Sequence, residues 1–197
     1  MGKIILVIGG ARSGKSSFAE AKLRDKDSVC YLATSVVDPM DTEMIDRVKK
    51  HQKQRPNIWH TEERYQNIGG FLSENKEYDG YLLDCATTLS MNYFYGMMIE
   101  KYGKNYELID DKIAHFTEEE KDEVEAQITK EWQTILEAAK ELKGDIYIVA
   151  NEVGLGIVPE NSFTRWFRDV YGRVNQLLGK EADQVYLVVA GIPVTIK

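Results

Sequence analysis

Residues 9–16, Gly-Gly-Ala-Arg-Ser-Gly-Lys-Ser, hold the types and spacing best suited to chemistry in this chain. In the frame Gly9-x-x-x-x-Gly14-Lys15-Ser16, glycine admits positive φ and close backbone approach, so successive N–H groups can turn toward phosphate oxygens. Lys15 can bridge the outer phosphates, and the Ser16 hydroxyl can ligate Mg2+. Gly9, Gly10, Ala11, Arg12, Ser13, Gly14, Lys15 and Ser16 are therefore read as a nucleotide-phosphate loop, with Lys15 also a catalytic charge. A chance glycine turn would lack the context found here. The apolar run 3–8 precedes the loop, and a helical stretch, 15–24, follows and adds its positive end.

A phosphate loop calls for an acidic partner at the end of a neighbouring strand. Asp84 closes the run "GYLLDC" and is the candidate, with Ser16, for holding Mg2+. Asp79 lies at the wrong end of that run, because ligands bind at the carboxyl ends of parallel strands. The alternative for Asp84 is a turn or helix cap, a task that Thr87 or Thr88 can also perform.

Two further stretches carry unusual patterns. Met44, Val48 and His51 recur at helical spacing, so His51 is either an edge histidine or a nucleophile. Its neighbours Lys49, Lys50, Lys53 and Arg55 favour the neutral imidazole and attract a polyphosphate. Residues 151–161, "NEVGLGIVPEN", follow an apolar run, and are either an ordinary glycine-rich connection or the rim of a second-substrate site.

The elements that must position these groups alternate along the chain. Near-continuous apolar runs at 3–8, 29–34, 78–85, 145–150 and 184–190 suit strands of a parallel sheet covered on both faces. Helical stretches at 15–24, 41–54, 89–102, 117–142 and 162–178 lie between them, which is the α/β signature. Thr117 with Glu120 forms a capping box, and Lys140, Lys143 and Gly144 read as the end of that helix. Residues 103–116 read as a loop or short helical excursion.

With 197 residues the chain can bury one α/β core but hardly two ordinary domains, so residues 1–197 are read as one nucleotide-binding domain. A net charge of −7 argues against a nucleic-acid or anionic-membrane face. Cys30 and Cys85, each inside an apolar run, read as buried reduced thiols. No run reaches spanning length and the first residues do not form a signal peptide, so the expected location is the cytoplasm, without membrane insertion.

Together "GGARSGKS", "RVKKHQKQRP", "NEVGLGIVPEN", "RDVYGRVNQ" and "VYLVVAGIPVTIK" resemble, in order and over nearly the whole chain, the bifunctional adenosylcobinamide kinase/adenosylcobinamide-phosphate guanylyltransferase family. Residues 96–125 carry none of the matching motifs. The resemblance implies a single-domain, three-layer P-loop NTPase fold of RecA-like architecture with a mostly parallel sheet. It implies two reactions at one nucleotide site: phosphorylation of adenosylcobinamide by ATP or GTP, then GMP transfer from GTP through a guanylylated histidine to the phosphorylated acceptor. Matched by motif, that histidine is His51, and Lys50 stands where several members carry another histidine. Nucleotide contacts fall on the P-loop, on Thr34, Ser35 and Val36, on Gln52, Lys53, Gln54 and Arg55, on Glu63 and on Asp84, where the family carries glutamate. The resemblance also implies Mg2+, small-molecule partners without nucleic acid, and a homo-oligomer, a trimer. Two readings from other classes stand beside it: a regulatory P-loop switch, and a RecA-like motor, which the acidic charge disfavours.

Overall fold

β-Branched and leucine-rich runs supply the strands, and the computed structural model describes residues 1–35 and 56–197. The strands are β1 (Ile4–Gly9), β2 (Val29–Ala33), β3 (His60–Glu63), β4 (Gly80–Asp84), β5 (Asp145–Asn151), β6 (Gln184–Val189) and β7 (Ile192–Thr195). They form one seven-stranded sheet in the order β3-β2-β4-β5-β1-β6-β7. Every pairing is parallel except the final β6–β7 hairpin.

Alternation along each strand splits the core into two layers of side chains. Ile4 and Leu6 of β1, Leu83 of β4 and Ile146 and Ile148 of β5 face the larger cluster. Ile5, Val7, Leu82 and Val149 face the smaller one, with Ala19 and Leu23 of helix α1 (Lys15–Leu23). The larger face is covered by α2 (Ile68–Glu74), α3 (Ala86–Tyr102), α4 (Tyr106–Ala114), α5 (Glu118–Ala139) and α6 (Ser162–Glu181). Helices therefore sandwich a mostly parallel sheet, as the sequence leads one to expect. The expected helix at 41–54 lies outside the described residues.

The capping box of α5 is present: Thr117 Oγ1 accepts from Glu120 N–H at 3.2 Å, and Glu120 Oε2 accepts from Thr117 N–H at 2.9 Å. The end of this helix differs from expectation. It stops at Ala139; Lys140 turns to Glu181 at 2.7 Å and Lys143 to Asp79 at 3.1 Å. Gly144 is then a close-approach residue rather than a helix stop, because a Cβ there would overlap the Asp79 carbonyl.

Several elements had no strong sequence signal. Residues 103–116 contain α4, started by Asn105, whose side chain accepts from Leu108 N–H at 3.1 Å, and anchored by buried Ile109 and Ile113. β3 reads His-Thr-Glu-Glu and owes its existence to pairing with β2. β7 follows a tight turn in which Ala190 and Gly191 both have positive φ, a geometry that matches hairpin twist. Cys30 and Cys85 are both free, as expected, but only Cys30 is fully buried, which pushes its thiol up to about 12.

Gly144 lies against backbone that cannot step aside, so Gly144→Ala is expected to destabilise the protein by about 1–3 kcal/mol. A urea midpoint equal to that of the parent would contradict this.

Candidate functional site

The phosphate loop leaves β1 and closes on itself: Ser13 N–H donates to Gly10 O at 3.2 Å, with Arg12 at φ 59° and Gly14 at φ 94°. Gly14 caps α1 without any side-chain hydrogen bond, and the first helical donor is Phe18 N–H, to Gly14 O at 2.9 Å. The first-turn amides thus stay open toward whatever anion meets the helix end. The C-terminal hairpin braces the loop from outside, Gly191 N–H donating to Ser13 O at 2.8 Å.

Lys15 is only 8% exposed, and its ammonium donates to Gly10 O at 3.0 Å. Burial holds its pKa below the usual lysine value, against the opposing pull of Cys85 and Asp84. Among the described residues its hydrogen-bond partner is a neutral carbonyl, so the cation is short of negative charge, which phosphate oxygens would supply. Ser13 Oγ is also buried and lacks a partner among the described residues. Ser16, which follows Lys15, is partly exposed.

Strand register brings the acidic partner to the same edge. Asp84 pairs with Val149 of β5, and Val149 with Val7 of β1, so one strand separates Asp84 from the strand that carries the loop. Asp84 Oδ2 accepts from the Tyr31 hydroxyl at 3.2 Å. Thr34, fully buried, clasps the same strand end. Its hydroxyl accepts from Cys85 N–H at 2.8 Å and donates to Cys85 O at 2.9 Å. Its N–H donates to Asp84 O at 3.2 Å, and its carbonyl accepts from Asn92 at 2.7 Å. Thr34 thus ties the 84–85 backbone to Asn92 with its amide, hydroxyl and carbonyl, while the next residue, Ser35, is partly exposed.

Glu63 ends β3, opposite Ala33, and is exposed. Four strand spacings separate β3 from β1, about 19 Å along the carboxyl edge. Lys15 and Asp84 are brought together; Glu63 is at the far end of the same edge. Val36, His51, Gln52, Lys53, Gln54 and Arg55 lie outside the described residues.

The 151–161 segment roots between these groups. Glu152 N–H donates to Gly9 O at 2.9 Å. The Thr87 hydroxyl accepts from Asn151 N–H at 3.0 Å and donates to Tyr171 OH at 2.9 Å. Asn161 caps α6, accepting from Thr164 N–H at 2.9 Å. Sequence reasoning missed Tyr31, Thr87, Asn92 and Tyr171 as positioning groups. For Tyr31 a signal existed, a phenol in an otherwise apolar run, since a buried phenol needs a partner for its tip.

Among the described residues no three His, Cys, Asp or Glu side chains gather as a metal cage. The Ser16 hydroxyl and Asp84 carboxylate are hard oxygen donors, few in number, a set that suits a Mg2+ ion sharing its shell with phosphates. No described helix is long and apolar enough to cross a membrane.

Comparison with known proteins adds three kinds of likeness. The family model for cobinamide kinase / cobinamide phosphate guanyltransferase matches residues 5–196. The chain is 39% identical over 195 residues to the bifunctional adenosylcobalamin biosynthesis protein CobU of Escherichia coli (strain K12), covering 98% of this chain and 99% of that protein. It is 38% identical over 195 residues to the protein of the same name from Salmonella typhimurium, with the same coverage. It is 31% identical over 194 residues to CobP of Pseudomonas aeruginosa, covering 98% of this chain and 96% of that one. A solved ATPase of a type III secretion system aligns with TM-score 0.55 at 8% identity, over 95% of this chain and 52% of its own length. That likeness shows a P-loop NTPase fold and nothing finer; the chain spans about half of that structure.

Lys15→Ala is expected to lower nucleotide affinity at least about tenfold by calorimetry, the scale of a lost charge-assisted contact. Stability in urea should hold or rise, because a partly desolvated charge is removed. In the parent protein affinity should start to fall as pH rises through a value below the usual 10.5, since binding must then reprotonate Lys15. Unaltered affinity in the variant would remove Lys15 from the site.

Proposed function

The chain belongs to the cobinamide kinase / cobinamide phosphate guanyltransferase family, and from that membership we propose that it carries out both reactions at one nucleotide site. The observation that carries the proposal is the match over residues 5–196, because a P-loop fold by itself hosts many chemistries.

In the first reaction the hydroxyl oxygen of adenosylcobinamide attacks the γ-phosphorus of ATP or GTP. A new O–P bond forms, the β–γ bridge breaks, and the nucleoside diphosphate leaves as the hydroxyl proton passes to solvent. Lys15 and the open amides at the start of α1 bind the phosphates and offset charge on the leaving group. Ser16 and Asp84 would hold Mg2+, which when bound offsets phosphate charge. The Tyr31 hydroxyl orients the Asp84 carboxylate, and Thr34 holds the backbone of Asp84 and Cys85.

In the second reaction the neutral His51 imidazole attacks the α-phosphorus of GTP. A P–N bond forms and pyrophosphate leaves; the acceptor's phosphate oxygen then takes the GMP as the P–N bond breaks, giving adenosylcobinamide-GDP. Covalent catalysis splits the transfer into two displacements: His51 takes GMP from GTP, and the acceptor's phosphate then takes it from His51. Support for His51 is its place in the motif "HQKQRP" amid basic neighbours. Glu63, Ser35, Val36 and residues 52–55 are assigned by the same reading to the nucleotide. A trimeric assembly in the cytoplasm completes it, with light scattering as the check on mass.

His51→Asn is expected to keep the kinase activity within a few-fold while GMP transfer falls by orders of magnitude, as loss of a nucleophile does. Label from α-labelled GTP, and none from γ-labelled GTP, should stay on the parent protein and be released by acid. Labelling of the His51 variant, lost instead in a His60 or His115 variant, would move the nucleophile. A parent protein that takes up no label would leave a kinase only.

A further inference from the structure

The loop rooted between the P-loop strand and the Asp84 strand displays aliphatic side chains to solvent. Leu155 is 86% exposed, Ile157 96% and Val158 59%, three within four residues. Single exposed aliphatics are ordinary, but a cluster on a loop marks a contact surface. Lack of anchorage does not explain it. Glu152 N–H holds one end to Gly9 O, and the Glu152 carboxylate accepts from Gly154 N–H at 2.6 Å. Val153 packs on the core, and the Arg165 guanidinium grips the carbonyls of Pro159 (2.8 Å) and Glu160 at the other end. The crown of the loop is thus presented by clamped ends.

We infer that residues 155–158 are the docking surface for the corrin ring of the acceptor, an assignment that rests on the functional reading above. The loop begins at the carboxyl end of β5, which lies between β4, bearing Asp84, and β1, bearing Gly9. The root of this loop adjoins the P-loop through the Glu152–Gly9 bond, so a ligand seated on its crown can extend to the phosphate site. A second copy of the chain seated there would obstruct the acceptor, whose hydroxyl has to come within about 3–3.5 Å of the transferred phosphorus. A corrinoid suits the surface. Its broad ring is edged by methyl groups that bury aliphatic area, and by amides that can pair with exposed loop backbone.

The test uses Leu155→Ser and Ile157→Ser, singly and combined, in the full-length protein. Because both side chains are exposed, unfolding is not expected, and thermal melting checks it. The combined variant is expected to raise KM for the corrinoid about tenfold or more, the scale of losing buried aliphatic contacts. KM for the nucleotide and the mass in solution should not change, and Ile157→Leu should behave as the parent. Leu108→Ser, on α4, is the control for removing an exposed leucine elsewhere. An unchanged corrinoid KM in the combined variant would overturn the inference alone. So would a loss of oligomer mass, which would assign the surface to a second copy. A parent protein that phosphorylates no corrinoid would overturn the functional reading and this inference with it.

Discussion

The hydrogen bond from Glu152 N–H to the Gly9 carbonyl, 2.9 Å, extends the β1–β5 pairing past Gly9↔Asn151, where both strands leave the sheet. It fixes the start of the phosphate loop and the start of the 151–161 segment as one unit. The same parallel register sets Asp84 one strand away, at the level of Val149. Remove that register and Lys15, Asp84 and the exposed loop would no longer share an edge. Parallel strands with both faces covered are what keep it, since a slip would turn buried aliphatics outward.

Around that edge, polar groups do the locating and apolar groups supply stability. Thr34 spends its hydroxyl, amide and carbonyl on Cys85, Asp84 and Asn92, and Tyr31 adds its phenol to Asp84. Thr87 links Asn151 to Tyr171, whose hydroxyl is held high by burial. These bonds join β2, β4, β5, α3 and α6 at the site. Within this described cluster, phosphate binding would require Lys15 to exchange Gly10 O for a ligand oxygen.

The sequence carried the parts of this design that depend on local pattern. The glycine loop, the strand before it and the helix after it were legible because each residue type has one physical task there. Asp84 was legible as a strand-end carboxylate, and Thr117 with Glu120 as a cap. What escaped depends on tertiary partners. β3 has no apolar residue and exists by pairing to β2; α4 shows only Ile109 and Ile113 as core anchors in a polar stretch. Gly144 looked like a helix stop, yet its smallness serves contact with Asp79. Thr34 was assigned to the nucleotide by resemblance, and no pattern reveals that its hydroxyl is committed to Cys85. Family membership, in turn, needed the motifs as a set, because the P-loop alone names no acceptor.

The central claim is that one phosphate site, built by the P-loop and Asp84, serves every nucleotide the protein uses. The direct measurement is binding stoichiometry with uncleavable analogues of ATP and GTP, titrated singly and against each other. The account predicts one nucleotide per chain and full mutual displacement. Two nucleotides bound per chain at saturation, each indifferent to the other, would contradict it.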